Sequence, residues 1–493
     1  GTDMTVAEEL DHHVMAEDIP LAVVARIESR PDEYPGVKIV ERTRRTYPSD
    51  SRAAHVLGHL GPIAKEELAR RKEEGYHPDD FVGRTGIERQ YETVLRGLRG
   101  MAVELTNRSG RVLSAYRQEE PGIGRDLILT IDPQLQRAAE SLLDSALDLR
   151  TVRFEHPEPA GGAIVVMDVR TGALRAVASA PRFDPNLFVV GGAGKLLDDK
   201  TRPLFDRAVR MAIPPGSVFK AITAVALLEA AEFDPPDFDP DAPFFCQGYL
   251  HEPDRQRCAI YRRHGVGHDD VTLSDALAVS CNVYFFDHAG RLGPEPLADW
   301  ARRFGFGQRT GIDLPSEAAA VVPDPTNGWR PGDTQSLAIG QGSLTATPMQ
   351  VVRMIGAVAN GGRLVTPHVV SRLGLAEGAD SAEPIRIPPP RPIAGLHAET
   401  LAAVREGLQR VVADPIGTAH GTVHLESIAI AGKTGTAETG GGRADHAWFA
   451  GYAPAEHPRL AIVVVLEHSG NAATAAGPIV KALVGQMQKL GLL

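Results

Sequence analysis

Residues 214–220 read Pro-Pro-Gly-Ser-Val-Phe-Lys and run straight into the apolar stretch Ala221–Ala231. This places a hydroxyl and an amine three residues apart at the start of a helix, where side chains at i and i+3 share a face. Ser217 Oγ and Lys220 Nζ are therefore expected to meet. A free serine hydroxyl is a poor nucleophile, and a desolvated neutral lysine is one of the few side chains able to activate it. The first turn adds free N–H groups and the positive end of the helix dipole, which favour developing negative charge. Alone, Ser-x-x-Lys carries little weight, because an ordinary helix start with a surface lysine reads the same way. Two later segments change the odds: Ser280-Cys281-Asn282, then Lys433-Thr434-Gly435-Thr436. In that order the three motifs bring together a nucleophile, a base, a second hydroxyl, an amide and a cationic strand. A further Ser-x-Asn, Ser469-Gly470-Asn471, falls after Lys-Thr-Gly and reads as a loop following the strand Leu460–Leu466.

The three cysteines, at positions 246, 258 and 281, all lie between the first motif and the end of the second. An odd count excludes complete internal pairing. Cys246, Cys258, His268 and Cys281 offer three sulfurs and one imidazole, the donor set of a tetrahedral Cys3His zinc site. The competing reading is a Cys246–Cys258 disulfide with Cys281 a buried free thiol. A structural metal would brace Asn282 without touching substrate.

The elements that must position these residues are legible in outline. Asp126–Ile131 is expected as a strand and Pro133–Leu149 as an amphipathic helix opening on proline. Thr151–Ala160, with His156, Pro157 and Pro159, reads as an exposed loop. Gly162–Val169 and Leu174–Ala180 form a hairpin around Arg170-Thr171-Gly172. Three strands follow near the end, Ser427–Ala431 leading into Lys433, Ala447–Tyr452 and Leu460–Leu466, before a closing helix Ala473–Leu490. Two strands, many helices, three strands and a helix describe an α+β fold, with an antiparallel sheet built from both ends of a domain. The first 120 or so residues hold the basic cluster Arg42–Arg45, a charged helical segment Ala64–Glu74, a helix opening at Gly83–Glu88 and a hairpin around Ser109-Gly110. They carry no group of residues able to do chemistry and read as a structural module.

With 493 residues the chain is too long for one ordinary domain. Its 63 acidic against 52 basic residues give a net charge of −11, which argues against nucleic acid as a partner. No apolar run approaches the roughly 18 residues needed to span a bilayer. The opening Gly-Thr-Asp-Met reads as an artificial junction rather than a native start.

Taken together the residues resemble class B penicillin-binding proteins, and among them the elongation type called penicillin-binding protein 2. Beyond the three motifs, the resemblance rests on Phe183-Asp184-Pro185-Asn186-Leu187-Phe188, Arg207-Ala208, Gly340-Gln341-Gly342 and Thr347-Pro348-Met349-Gln350. Asp445-His446-Ala447-Trp448-Phe449, Pro35-Gly36-Val37 and Gly86-Ile87-Glu88-Arg89 extend it over nearly the whole chain. It implies a smaller mixed α/β pedestal, or dimerisation-type, domain over residues 1–120. A penicillin-binding transpeptidase domain over 121–493 would follow, with a five-stranded antiparallel sheet between helical layers. The family normally begins with a cytoplasmic stub, a membrane helix and a longer pedestal, and much of that, including the usual Arg-Gly segment after the anchor, is not found in this sequence. A single-pass anchor is expected ahead of it, with the domains on the periplasmic face of the membrane.

The resemblance also implies roles. Ser217 would take the acyl group of a peptidoglycan stem peptide, releasing the last D-alanine, with Lys220 as base. Ser280 would relay a proton to the leaving amine, and Asn282 would hold the substrate amide or orient Lys220. Lys433, Thr434 and Thr436 would bind the substrate carboxylate, while Gly435 permits close backbone approach. Backbone N–H groups of Ser217 and Thr436 would form the oxyanion hole. Some family members hold zinc near this loop with carboxylate, histidine and cysteine ligands. His268 and Cys281 match by position, with Cys246 and Cys258 standing roughly where acidic ligands would be. Expected partners are β-lactams, which mimic acyl-D-Ala-D-Ala, and a membrane glycosyltransferase of the shape, elongation and division family. No cofactor is expected for the chemistry. His446 is expected as a structural or solvent-facing histidine and Gln341 as part of the pocket floor. The alternatives are a D,D-carboxypeptidase or β-lactamase, and a β-lactam-binding scaffold without catalysis.

Overall fold

The computed structural model describes residues 14–40, 43–106, 112–153, 160–230, 238–326, 328–374 and 382–493. Arg42, the Ser109-Gly110 turn, His156, Pro157 and Pro159 lie outside the described residues. The chain divides into two compact units, Gly1–Thr46 and Tyr47–Leu493. In the first, the described residues form a helix, Leu21–Ser29, and an Arg44–Asp18 ion pair at 2.7 Å.

The second unit opens with short elements. The strands Leu60–Pro62 and Phe81–Gly83 pair antiparallel. Between them the charged segment forms a helix over Lys65–Arg71 that tightens into a 3-10 turn over Lys72–Glu74. Gly86 starts the helix Gly86–Gln90 at φ 57°, where a Cβ would lie 2.4 Å from Gly58 N and 2.5 Å from Val56 O. Only glycine tolerates both the conformation and the approach. The expected hairpin pairs Met101–Thr106 with Val112–Glu119. The strand expected over Asp126–Ile131 is confined to Leu127–Leu129 and pairs with Val370–Leu373, outside the central sheet.

The central sheet has five antiparallel strands: β1 (Gly162–Asp168), β2 (Leu174–Ala180), β3 (Ala431–Ala437), β4 (His446–Ala453) and β5 (Leu460–Leu466). Their spatial order is β3-β4-β5-β1-β2, so the two ends of the domain meet where β5 pairs with β1. The helices that matter to the site are α1 (Pro133–Arg153), α2 (Lys220–Leu228), α3 (Ala259–His264), α4 (Leu273–Ala278), α5 (Asn282–Leu292), α6 (Pro348–Ala359) and α7 (Gly477–Lys489). One face of the sheet, with Val165, Met167, Tyr452 and Val463, packs in one cluster with Ile222 of α2 and Ile355 of α6. The other, with Ile164, Val166, Phe449 and Ile462, packs with Leu143 of α1 and Leu483 of α7. Cover on both faces is why β5 reads as an unbroken apolar run rather than an alternation. Burying each Val or Ile there contributes about 1.5–3 kcal/mol. The expected sheet between helical layers is present.

Two boundaries differ from expectation. The strand carrying Lys433 is Ala431–Ala437, and Ser427–Ile430 ahead of it is turn and coil. Gly432-Lys433-Thr434-Gly435 has weak intrinsic strand preference, and seven consecutive pairings with β4 override it. The closing helix is two, Ala472–Ala475 and α7, separated at Ala476. Pro478 in the first turn of α7 cannot donate back across the junction.

Candidate active site

The turn that carries Ser217 is a 3-10 segment, Gly216–Phe219, that passes directly into α2 at Lys220. Three residues per turn bring i and i+3 into eclipse, so Ser217 and Lys220 lie on the same side of the junction. Gly216 sits at φ 56°, and a Cβ there would approach Thr436 O to 2.8 Å. Its N–H donates to Gly340 O at 2.9 Å, so the Gly340-Gln341-Gly342 loop holds the turn from behind. A Cβ on Gly435 would come within 2.7 Å of Pro215 O. The turn and the free edge of β3 thus meet backbone to backbone, with Ser217 half-buried between them.

Lys220 is fully buried, and its amine donates to Asn282 Oδ1 at 2.7 Å, Ser280 O at 2.9 Å and Ser280 Oγ at 3.1 Å. Among the described residues these acceptors, rather than Ser217 Oγ, take its hydrogen bonds. Catalytic contacts are often long until substrate binds. Burial lowers the amine's pKa to about 8, against the opposing pull of the Cys258 and Cys281 sulfurs. Lys433 is also fully buried and donates to Thr434 O at 3.2 Å. Burial, and then the charge of Lys220, push its amine well below the usual lysine range. Two amines in one dry groove favour sharing a single proton.

Ser280 connects two helices. It lies between the end of α4 and Cys281, the N-cap of α5, and holds φ 57° without being glycine. A left-handed residue of this kind stores on the order of 1 kcal/mol. Here it turns both Oγ and carbonyl O onto Lys220. Asn282 is fixed from its other end by Nδ2 donating to Arg257 O at 3.0 Å.

The threonines of the third motif are engaged by the protein. Thr434 Oγ1 lies 2.8 Å from Thr418 Oγ1, and Thr436 Oγ1 accepts from Ala472 N–H at 3.3 Å. Gln341 Nε2 donates to Thr436 O at 3.3 Å, as expected of a residue in the pocket floor. Thr418 belongs to no motif and was not foreseen. Its N–H also donates to Ala278 O at the end of α4, tying the Ser280 loop to β3. His446 is structural: its Nδ1 accepts the His468 N–H at 3.1 Å. Burial and the neighbouring His468 charge hold it down to about 4, so it is neutral at physiological pH.

Beside this groove the sulfur cluster closes on itself. Cys246, Cys258, His268 and Cys281 place their ligand atoms within 4.8 Å of one another. The Cys246–Cys258 and Cys258–Cys281 sulfurs are 3.7 Å apart, and Cys246 Sγ lies 3.5 Å from His268 Nδ1. All three cysteines are free, so the Cys246–Cys258 disulfide is not formed. Backbone N–H groups aim at the sulfurs: Asn282 and Val283 donate to Cys258 Sγ at 3.2 and 3.4 Å, and Tyr284 to Cys281 Sγ at 3.4 Å. These are orphan donors of the α5 N-terminus, which the two sulfurs satisfy. Burial, with Cys246 and Cys258 alongside, pushes the Cys281 thiol well up. Hydrogen bonds from Cys258 and Cys281 drive the Cys246 thiol far down. Burial opposes the charge on His268, but its bonds to Cys246 and Cys258 raise it to about 9.

Comparison with known proteins agrees with this geometry. Residues 162–485 match the penicillin-binding protein transpeptidase domain, and residues 7–129 the penicillin-binding protein dimerisation domain. The peptidoglycan D,D-transpeptidase MrdA of Acinetobacter baumannii is 33% identical over 476 residues, covering 91% of this chain and 67% of the relative. The penicillin-binding protein PBP2 of Helicobacter pylori, solved in complex with MreC, superposes with a TM-score of 0.80 at 29% identity, covering 96% of this chain and 84% of that one. A chain of a peptidoglycan synthase complex that coordinates polymerization and crosslinking gives 0.78 at 33%, covering 95% and 80%. By its transpeptidase match over more than half its length and by this kinship, the chain belongs to the penicillin-binding proteins, with a dimerisation domain ahead of a transpeptidase domain.

Proposed function

We propose that this chain is a peptidoglycan D,D-transpeptidase of cell-wall elongation that works through an acyl-enzyme on Ser217. The observation that carries the reading is the buried Lys220 amine, held by Ser280 and Asn282 one turn from Ser217 and beside the open edge of β3. An extended stem peptide can add to that edge by main-chain hydrogen bonds. Neutral Lys220 takes the Ser217 proton as Oγ attacks the carbonyl of the penultimate D-alanine. The resulting oxyanion faces the N–H groups of Ser217 and Thr436, and one such donor is worth about 3 kcal/mol of barrier. As the carbon–nitrogen bond breaks, the proton passes through Ser280 to the leaving D-alanine. The amine of a neighbouring stem peptide then attacks the ester and loses a proton back along the same path. A substrate carboxylate beside Lys433 restores that amine's charge, since an opposite charge favours the ionised form. β-Lactams acylate the same oxygen. Labelling with fluorescent penicillin tests this: wild type should form a covalent adduct and Ser217→Ala none, whereas equal labelling removes Ser217 as nucleophile.

We further propose that Cys246, Cys258, His268 and Cys281 hold a structural zinc. A tetrahedral ion with Zn–S near 2.3 Å and Zn–N near 2.05 Å sets sulfur–sulfur edges of about 3.8 Å and sulfur–nitrogen edges of about 3.5 Å. The three edges of 3.7, 3.5 and 3.7 Å match these values, within a set of four ligand atoms that spans up to 4.8 Å. Zinc would supply rigidity and no catalytic step; Cys258 and Cys281 grip the first turn of α5 and so set the position of Asn282. Metal analysis decides this: about one zinc per chain in wild type, lost in Cys281→Ser, with a metal-free wild type rejecting it. The pedestal, residues 1–120, would dock a glycosyltransferase of the shape, elongation and division family. It would also meet an MreC-like partner such as the one bound by the Helicobacter pylori relative. The domain from residue 121 would then work on the periplasmic face of the membrane.

A further inference from the structure

Two walls line the groove: the Ser280–Asn282 loop, with the cysteine-bearing insert behind it, and β3. They are joined at one exposed point. Arg262, on α3, forms an ion pair with Glu438, which directly follows the last residue of β3. The partners are 176 residues apart in sequence. Their side chains are 45% and 57% exposed, so the pair lies at the rim rather than in the core. The two ends differ in stiffness. Cys258, a member of the sulfur cluster, is the N-cap of α3 and accepts the Arg262 N–H on its carbonyl at 3.2 Å, so the helix starts from the cluster. Glu438 instead leads into Gly440, Gly441 and Gly442, all at φ between 63° and 76°, with nothing within 4 Å of an added Cβ. Three successive glycines in open space leave the tip of this loop conformationally free, while Thr439 Oγ1 donates to Arg443 O at 3.2 Å and Ala444 O at 3.3 Å across its base. Asp445, at the far end of that loop, also feels both charges: burial and Glu438 raise its carboxyl pKa, and Arg262 lowers it.

We propose that Arg262 and Glu438 form a strap across the mouth of the groove, which an acyl donor must open before it reaches Ser217. Glu438 and the glycine loop are the moving half and Arg262 the fixed catch. The strap thereby selects against donors with bulky acyl substituents and slows acylation when closed. This rests on Ser217 as the acyl acceptor, and the controls separate the two ideas.

The test is the second-order rate of fluorescent-penicillin labelling in wild type, Glu438→Gln, Arg262→Gln, the double variant and the reversed pair Arg262→Glu with Glu438→Arg. An exposed ion pair supports a change of roughly two- to fivefold. Each single substitution should speed labelling by that amount. The double should match either single, and the reversed pair should return to the wild-type rate. High salt should speed wild type and the reversed pair, by screening the ion pair, and leave the singles and the double unchanged. Zinc content and thermal midpoint, unchanged in Glu438→Gln, show that the fold is intact. Unchanged or slower labelling in either single, or additive effects in the double, overturns the strap while leaving Ser217 in place. Absence of any wild-type adduct overturns the nucleophile instead.

Discussion

The catalytic groove and the sulfur cluster lie on opposite sides of Asn282 and are built on opposite principles. In the groove, polar groups are held in states they would not choose alone. Lys220 and Lys433 are buried amines with depressed proton affinity, and Ser280 has a left-handed backbone. In the cluster every donor faces another donor or a helix N–H, and the Cys246, Cys258 and Cys281 side chains are buried. One region stores free energy that a substrate can release, and the other fixes the frame that stores it. The shared residues are Cys281 and Asn282, adjacent in the chain, one facing each way.

If that division of labour is right, substitutions on the groove side should act on rate, and those on the cluster side on metal and stability. Lys220→Gln removes the proposed base and should lower Ser217 acylation by about 10²–10⁴-fold with little change in thermal midpoint. Asn282→Ala removes one acceptor of the lysine and the tie to Arg257; losing a hydrogen bond to a charged or tuned group costs about 1.5–3 kcal/mol, or roughly 10–100-fold in rate. Cys258→Ser should abolish the proposed zinc binding and lower the thermal midpoint by several degrees, with rate per folded molecule falling no more than about tenfold. A Cys258→Ser protein as slow as Lys220→Gln would erase the distinction. The smallest effect is expected from Thr418→Val, which breaks the bond to Thr434 and should cost about 1 kcal/mol, about fivefold in acylation rate.

What the sequence made legible follows the same line. Ser217 and Lys220 declare themselves because their geometry is local: three residues across one turn. The strands Leu174–Ala180 and Leu460–Leu466 were readable because their burial is written in apolar residues. β3 was misplaced by several residues because its glycines and its lysine hide a strand held by pairing with β4. The left-handed Ser280 leaves no mark, since nothing distinguishes it from a serine in a helix. Thr418 and the Arg262–Glu438 pair could not be read at all, for they exist only where distant segments meet. The cysteine cluster was legible as a donor set, but its irregular spacing gave no geometry.

The most direct test of the central claim, that burial has made Lys220 a base, is the pH dependence of Ser217 acylation. The folded amine titrates near 8 instead of the ordinary 10.5, so its neutral form grows with rising pH and saturates above that value. Acylation should therefore climb about tenfold per unit from pH 6 and level off just above pH 8. A rate flat from pH 6 to 9, or one that continues to climb to pH 10, would contradict it.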